Sequence, residues 1–95
     1  MPAFVHVNFR IKDSKRQARI APMFQQALQT AGGRIVHFGP VVELLEGDAP
    51  LPMAGIFEFE TVDHALAFYR SPEYAPIKAE RDLAQEARIF IVDAS

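Results

Sequence analysis

Three observations predict an α+β chain whose elements run β-α-β-β-α-β, with one antiparallel four-stranded sheet and its helices on a single face. Apolar and polar residues alternate strictly over residues 4–11, and an apolar β-branched run closes the chain over 87–92. Between them, an apolar stripe at helical spacing runs from Ile20 to Ala31. Two further apolar stretches, 34–45 and 53–60, then precede a second helical region that begins at Thr61.

In the first strand Val5, Val7, Phe9 and Ile11 fall on one side, and Phe4, His6, Asn8 and Arg10 on the other. The period changes at Asp13 and Ser14. Ser14 followed by Gln17 fits a capping box, and Asp13 is a second candidate cap. Ile20, Phe24, Ala27, Leu28 and Ala31 form the helix stripe, and Gly32-Gly33 ends it, because glycine accepts the left-handed backbone of a C-terminal cap. Pro22 removes one backbone bond and crowds the preceding turn, which predicts a kink or a break with the better-formed half over 22–31.

The second strand is expected over 34–45, interrupted by Gly39-Pro40; a proline cannot donate to a ladder and belongs at an edge or a bulge. Residues 46–50 are a turn cluster, and 53–60 form the third strand. Thr61 caps a short helix with Ala65, Leu66, Phe68 and Tyr69 on its apolar side. Ser71-Pro72-Glu73 restarts a helix, with a cap, a proline at the first helical position and an acid in the first turn. The order is ferredoxin-like, with the second helix split in two. At 95 residues, with no repeat and no linker, one domain spanning 1–95 is expected.

Composition removes several function classes. Ten Lys+Arg against twelve Asp+Glu leave a formal charge of −2, so no positive field is available for a nucleic acid partner. The absence of cysteine removes disulfides, thiolate metal sites and a thiol nucleophile. No apolar run reaches the roughly 18–20 residues a membrane helix needs, and the first residues read as no secretory signal, so a cytoplasmic protein with no membrane partner is expected. No glycine-rich phosphate loop is present.

The helices can cover only one side of the sheet. Val5, Val7, Phe9, Phe57 and Phe59 are the natural helix-facing set. The opposite face then carries Phe4, His6, Asn8, Ile56 and Glu58, with Ile35 and His37 added by alternation. The last strand adds either Arg88, Phe90 and Val92 or Ile89 and Ile91. An apolar surface of this kind predicts a homodimer stacked face to face.

Several segments resemble one family: Gly32-Gly33 before the second strand, Leu45-Glu46-Gly47, Ile56-Phe57-Glu58-Phe59, and the run from Ala65 through Phe68-Tyr69-Arg70-Ser71-Pro72-Glu73-Tyr74 with Arg81 beyond. Together they are similar to the domain-of-unknown-function 1330 family, small bacterial proteins of the dimeric α/β-barrel superfamily, and the likeness runs nearly end to end. The resemblance implies a ferredoxin-like protomer and a dimer whose sheets form a barrel, and it implies no established reaction. The wider superfamily includes cofactor-free monooxygenases, muconolactone isomerase-like enzymes and chlorite dismutase-like haem proteins.

Two constellations carry candidate chemistry, and the first, around His6 and Glu58, is the expected place of any reacting atom. His6, His37 and Glu58, with Asn8 beside them, put two imidazoles and a carboxylate on one sheet face, the groups a general base, acid and orienting residue require. The structural alternative for them is a satisfied polar network inside a dimer interface. No local metal-ligand spacing supports a metal site, and no cofactor is expected. Tyr69, Tyr74 and Arg81 form the second set: Arg81 lies two helical turns beyond Tyr74 and can hold a carboxylate, or the three can serve as packing anchors and a surface ion pair. Two functions remain open. One is a cofactor-independent enzyme acting on a small aromatic or acidic metabolite; the other is a non-catalytic homodimeric binding or structural module.

Overall fold

The computed structural model describes residues 2–94. Its elements are β1 (Ala3–Ile11), α1 (Ser14–Thr30), β2 (Arg34–Pro40), β3 (Met53–Phe59), α2 (Val62–Tyr69), α3 (Ala75–Ala84) and β4 (Gln85–Asp93). The strands form one sheet in the order β2-β3-β1-β4, every neighbouring pair antiparallel, which is the ferredoxin-like arrangement. β1 is central, and its alternation sorts the molecule into two sides. Ala3, Val5, Val7 and Phe9 are buried toward the helices, in register with Phe59, Phe57, Gly55 and Met53 of β3. Ile91 and Ile89 of β4 join them, leaving Arg88, Phe90 and Val92 on the open side.

α1 begins at Asp13, whose carboxylate accepts the Arg16 N–H at 3.0 Å. The expected box between Ser14 and Gln17 does not form, because the Gln17 side chain instead accepts a hydrogen bond from Gln85 Nε2 at 2.9 Å. Ile20 and Leu28 are buried on the stripe, with Phe24 between them half-buried. The C-terminus closes in two backbone bonds, Gly33 N–H to Leu28 O at 2.9 Å and Gly32 N–H to Gln29 O at 3.0 Å. Gly32 sits at φ +82°, the left-handed region this closure demands.

Pro22 does not break the helix, which is continuous from Ser14 to Thr30. Both Pro22 and Ala18, whose carbonyl loses its partner, lie on the exposed side. Water can satisfy that carbonyl while Ile20 and Leu28 hold the turns on either side against the sheet.

β2 departs from simple alternation. Its register against β3 shifts between Ile35 and His37, so Ile35 pairs with Phe57 on the helix side while His37 pairs with Ile56 on the open side. The expectation that Ile35 shares the open face with His37 is therefore corrected: the irregularity at Val36 inserts one residue and resets the parity. Phe38 follows onto the helix side and lies over Gly55, where any Cβ would stand 2.2 Å from its ring. β2 also ends at Pro40 rather than at residue 45. Beyond it, Val41 N–H still bonds Pro52 O at 2.8 Å, but Val42 and Leu45 are 93% and 85% exposed.

The restart after α2 is also later than the Ser71 cap implies. Ser71 Oγ accepts the Tyr74 N–H at 3.2 Å, yet residues 72–74 are a turn and α3 begins at Ala75. Pro76 has no N–H to offer Pro72, and the i→i−4 ladder becomes established with Lys78 N–H to Tyr74 O at 2.8 Å. α3 is tied to α1 through Arg16, which donates to Glu80 at 2.8 Å.

Replacing Pro22 with Ala restores one backbone bond without altering a buried contact. We expect Pro22→Ala to raise the unfolding free energy by about 1–3 kcal/mol, the gain being reduced by the greater freedom of the unfolded chain. Urea unfolding checks this, and a loss of stability would show that Pro22 serves the helix.

Candidate ligand cavity between sheet and helices

The helix side of the sheet is not filled. A cavity of about 720 Å³, partly open to solvent, lies between the sheet and the helices, within the range of small-molecule pockets. Its wall is aromatic. Phe24 of α1 lies 5.0 Å from Phe57 and 6.0 Å from Tyr74, and Phe68 lies 4.8 Å from Tyr74 and 5.4 Å from Phe59, centroid to centroid. Phe38 extends the chain of rings, at 5.0 Å from Phe57 and 5.9 Å from Phe9. Every phenylalanine and tyrosine ring of the described residues except Phe4 and Phe90 belongs to this cluster.

The polar groups on the wall cluster where α2 meets α3. The Ser71 turn brings Tyr69 and Tyr74 to 5.7 Å between ring centroids. Two turns along α3, Arg81 Nη1 donates to the Tyr74 hydroxyl at 2.9 Å and Nη2 donates to Asp82 Oδ1 at 3.0 Å. The Arg81 side chain is only 13% exposed, and its buried Nε has no hydrogen-bond partner among the described residues. Burial pushes the Tyr74 phenol above its ordinary pKa, with the Arg81 charge opposing, so Tyr74 is a protonated donor at neutral pH. Burial also works against the Arg81 charge, but Tyr74, Asp82 and Tyr69 outweigh it and hold its pKa above the ordinary value. Lys78 first, then Arg81, hold the Asp82 carboxyl below the usual range. The charged side chains on the cavity wall are arginines, Arg70 and Arg81; among the described residues it carries no carboxylate and no imidazole.

Tyr69, Tyr74 and Arg81 are thus brought together at the cavity. His6, His37, Glu58 and Asn8 lie on the other side of the sheet. His6 stacks on Phe90 with centroids 5.0 Å apart and planes 6° from parallel. Ile56 stands between His6 and His37, since it is in register with both. Glu58 is ion-paired with Arg34, its neighbour across β2. No hydrogen bond joins His6, His37 and Glu58, and no three His, Asp or Glu side chains among the described residues are grouped to hold a metal. Asn8 is occupied as a structural clip: Nδ2 donates to Leu51 O at 3.0 Å and Met53 O at 2.8 Å, and Oδ1 accepts the Leu51 N–H at 3.0 Å.

Phe24, Phe38 and Arg70 are wall residues that sequence reasoning did not single out as site residues. Gly55, inside the apolar run of β3, is the signal that points to Phe38, because a strand glycine marks a close approach by another group.

Fold and cavity together define a ferredoxin-like α+β protein with a small-molecule-sized chamber under its helices. The model of the family described as "Domain of unknown function (DUF1330)" matches residues 2–95, and the chain belongs to that family. Among solved structures it is similar to a protein of unknown function from Rhodopseudomonas palustris, at 17% identity and a TM-score of 0.81, over 99% of this chain and 82% of that one. It is similar to a dimeric ferredoxin-like protein of unknown function from Jannaschia sp. CCS1, at 11% identity and a TM-score of 0.69, over 99% of this chain and all of the other (100%). It also resembles SnoaB, a cofactor-independent oxygenase from Streptomyces nogalater, at 14% identity and a TM-score of 0.62, over 99% and 93% of the two chains. These likenesses show the fold. No curated protein matches the sequence.

Two outcomes follow from this geometry. Asn8→Ala removes the acceptor of a backbone N–H and the donor to two carbonyls, and should destabilise the protein by about 1–3 kcal/mol in urea unfolding. A change within error would show the clip to be dispensable. Tyr74 should ionise above the ordinary tyrosine value of about 10. Its protonated form is favoured by the fold, so the associated stability is present below that pH and is lost as pH rises through the higher folded value. Absorbance at 295 nm, compared with Tyr74→Phe, reads this step; ionisation below about 10 would mean that the Arg81 charge dominates burial.

Proposed function

We propose that this protein binds a small, largely aromatic molecule in the cavity between sheet and helices, as a homodimer joined through the opposite face of the sheet. The observation that carries the reading is the partly open aromatic chamber of about 720 Å³, a volume in the range of small-molecule pockets. Tyr69, Tyr74 and Arg81 are its ligand-binding groups. Binding is favoured over general-base catalysis because, among the described residues, the cavity wall presents no imidazole or carboxylate to take a proton. The likeness to a cofactor-independent oxygenase supports a chamber of this kind working without a bound cofactor, by analogy of fold.

The dimer reading rests on the open face. Phe90 and Val92 are exposed there beside half-buried Phe4, His6 and Ile56, and the fold supplies no second layer of helices to cover them. The dimeric Jannaschia relative supports it. In this arrangement His6, His37 and Glu58 are enclosed between two stacked sheets and act as interface groups, with the His6–Phe90 stack and the Arg34–Glu58 pair as their partners.

Light scattering at micromolar concentration should report twice 10.6 kDa, and Ile56→Lys, at the centre of the open face, should return the monomer. The neutral probe N-phenyl-1-naphthylamine should brighten on binding, one molecule per chain. Ala21→Trp, at the exposed rim of the cavity, should weaken it about tenfold without lowering the melting temperature. A monomeric wild type sinks the dimer reading, and binding indifferent to Ala21→Trp sinks the cavity reading.

A further inference from the structure

We infer that the molecule in the cavity carries an anionic oxygen, a planar aromatic carboxylate being the simplest case, and that the Arg81 guanidinium and the Tyr74 hydroxyl beside it receive it. This rests on the cavity being the ligand site. Two donors stand on one buried cluster without an acceptor. Arg81 Nε is buried and unpartnered. The Tyr74 oxygen already accepts from Arg81 Nη1, and its own proton meets no acceptor among the described residues. A buried guanidinium N–H left unpaired is costly, since charged groups lose strong hydration on burial. An anionic oxygen at the cavity wall supplies the acceptor that the Tyr74 proton lacks and a counter-charge for the guanidinium, whereas a neutral donor group supplies neither.

The surroundings select the sign of the charge. Arg70 and Arg81 are the ionic groups lining the cavity, and no acidic side chain among the described residues competes for Arg81 from within it. Asp82, the one carboxylate on the guanidinium, is half exposed and shared with Lys78 at 3.0 Å, so it holds the outer edge of Arg81 and leaves Nε free. The rest of the chamber selects shape. Phe24, Phe57, Phe68 and the two tyrosines offer ring faces and edges, which suit a flat apolar body better than a branched or hydrated one.

The experiment compares 1-naphthoate with neutral 1-naphthylmethanol on the full chain at pH 7 and low salt, read by naphthalene fluorescence, which the tryptophan-free protein leaves unobscured. Wild type should bind the acid about tenfold more tightly than the alcohol. In Arg81→Met the ratio should fall to about one with the alcohol affinity retained, and in Tyr74→Phe the preference should fall by a smaller factor, about threefold. Equal affinity for acid and alcohol in wild type, or an acid preference that survives Arg81→Met, overturns the inference while the cavity remains the ligand site. Binding of neither probe overturns both readings. The wild-type comparison needs no variant and decides the matter even if Arg81→Met fails to fold.

Discussion

A single layer of helices covers one face of a four-stranded sheet, and the two sides of this protein answer that constraint in different ways. β1, central and paired on both edges, sends Val5, Val7 and Phe9 under the helices and Phe4, His6 and Asn8 away from them. The helix side receives nearly all the aromatic rings, yet their bulk does not fill it. The rings meet edge to face and at tilted angles, as their quadrupoles favour; Phe9, Phe57 and Phe59 are buried in a packed core with Leu28, and the cluster walls the chamber on its open side. The open side keeps a smaller apolar set with polar groups set among it, a composition suited to contact with another protein surface.

The charges are divided by the same layering. The imidazoles of His6 and His37 and the Arg34–Glu58 pair belong to the open face, where neighbouring strands space them apart and Ile56 separates the two rings. The helix side holds arginine instead. Burying Arg81 is unfavourable in itself, and the fold offsets this with the Tyr74 hydroxyl and with Asp82, without using every donor. An incompletely satisfied guanidinium beside an apolar chamber is hard to explain as a stability device, because an apolar residue of similar size would pack there with less loss of hydration. On the proposed reading, recognition of an oxygen-bearing ligand gives it a physical reason to be there.

Much of the architecture was legible because it is written at short range. The alternation of Val5, Val7 and Phe9, the Ile20–Phe24–Leu28 stripe, Gly32-Gly33 and Thr61 each specify their own element through backbone geometry that needs no distant partner. The failures have non-local causes. Pro22 spared its helix because that side faces water and the opposite side is anchored on the sheet. Gln17 left the capping box for a partner 68 residues away, and Pro76 deferred the start that Ser71 signals.

The site divides along the same line. The pairing of Tyr74 with Arg81 could be read from their seven-residue spacing, since two helical turns return a side chain to the same face. That His6 and Glu58 share one sheet face also followed from parity. What parity could not supply was the shift at Val36, which leaves Ile35 on the helix side while setting His37 on the open side and Phe38 under the helices, the occupation of Asn8 by the Leu51 and Met53 backbone, and the chamber itself. A sequence by itself determines periodicity, because period is a property of consecutive residues. Whether the layers so defined meet without a gap depends on the summed volumes of side chains from every element at once, and only the tertiary structure decides that.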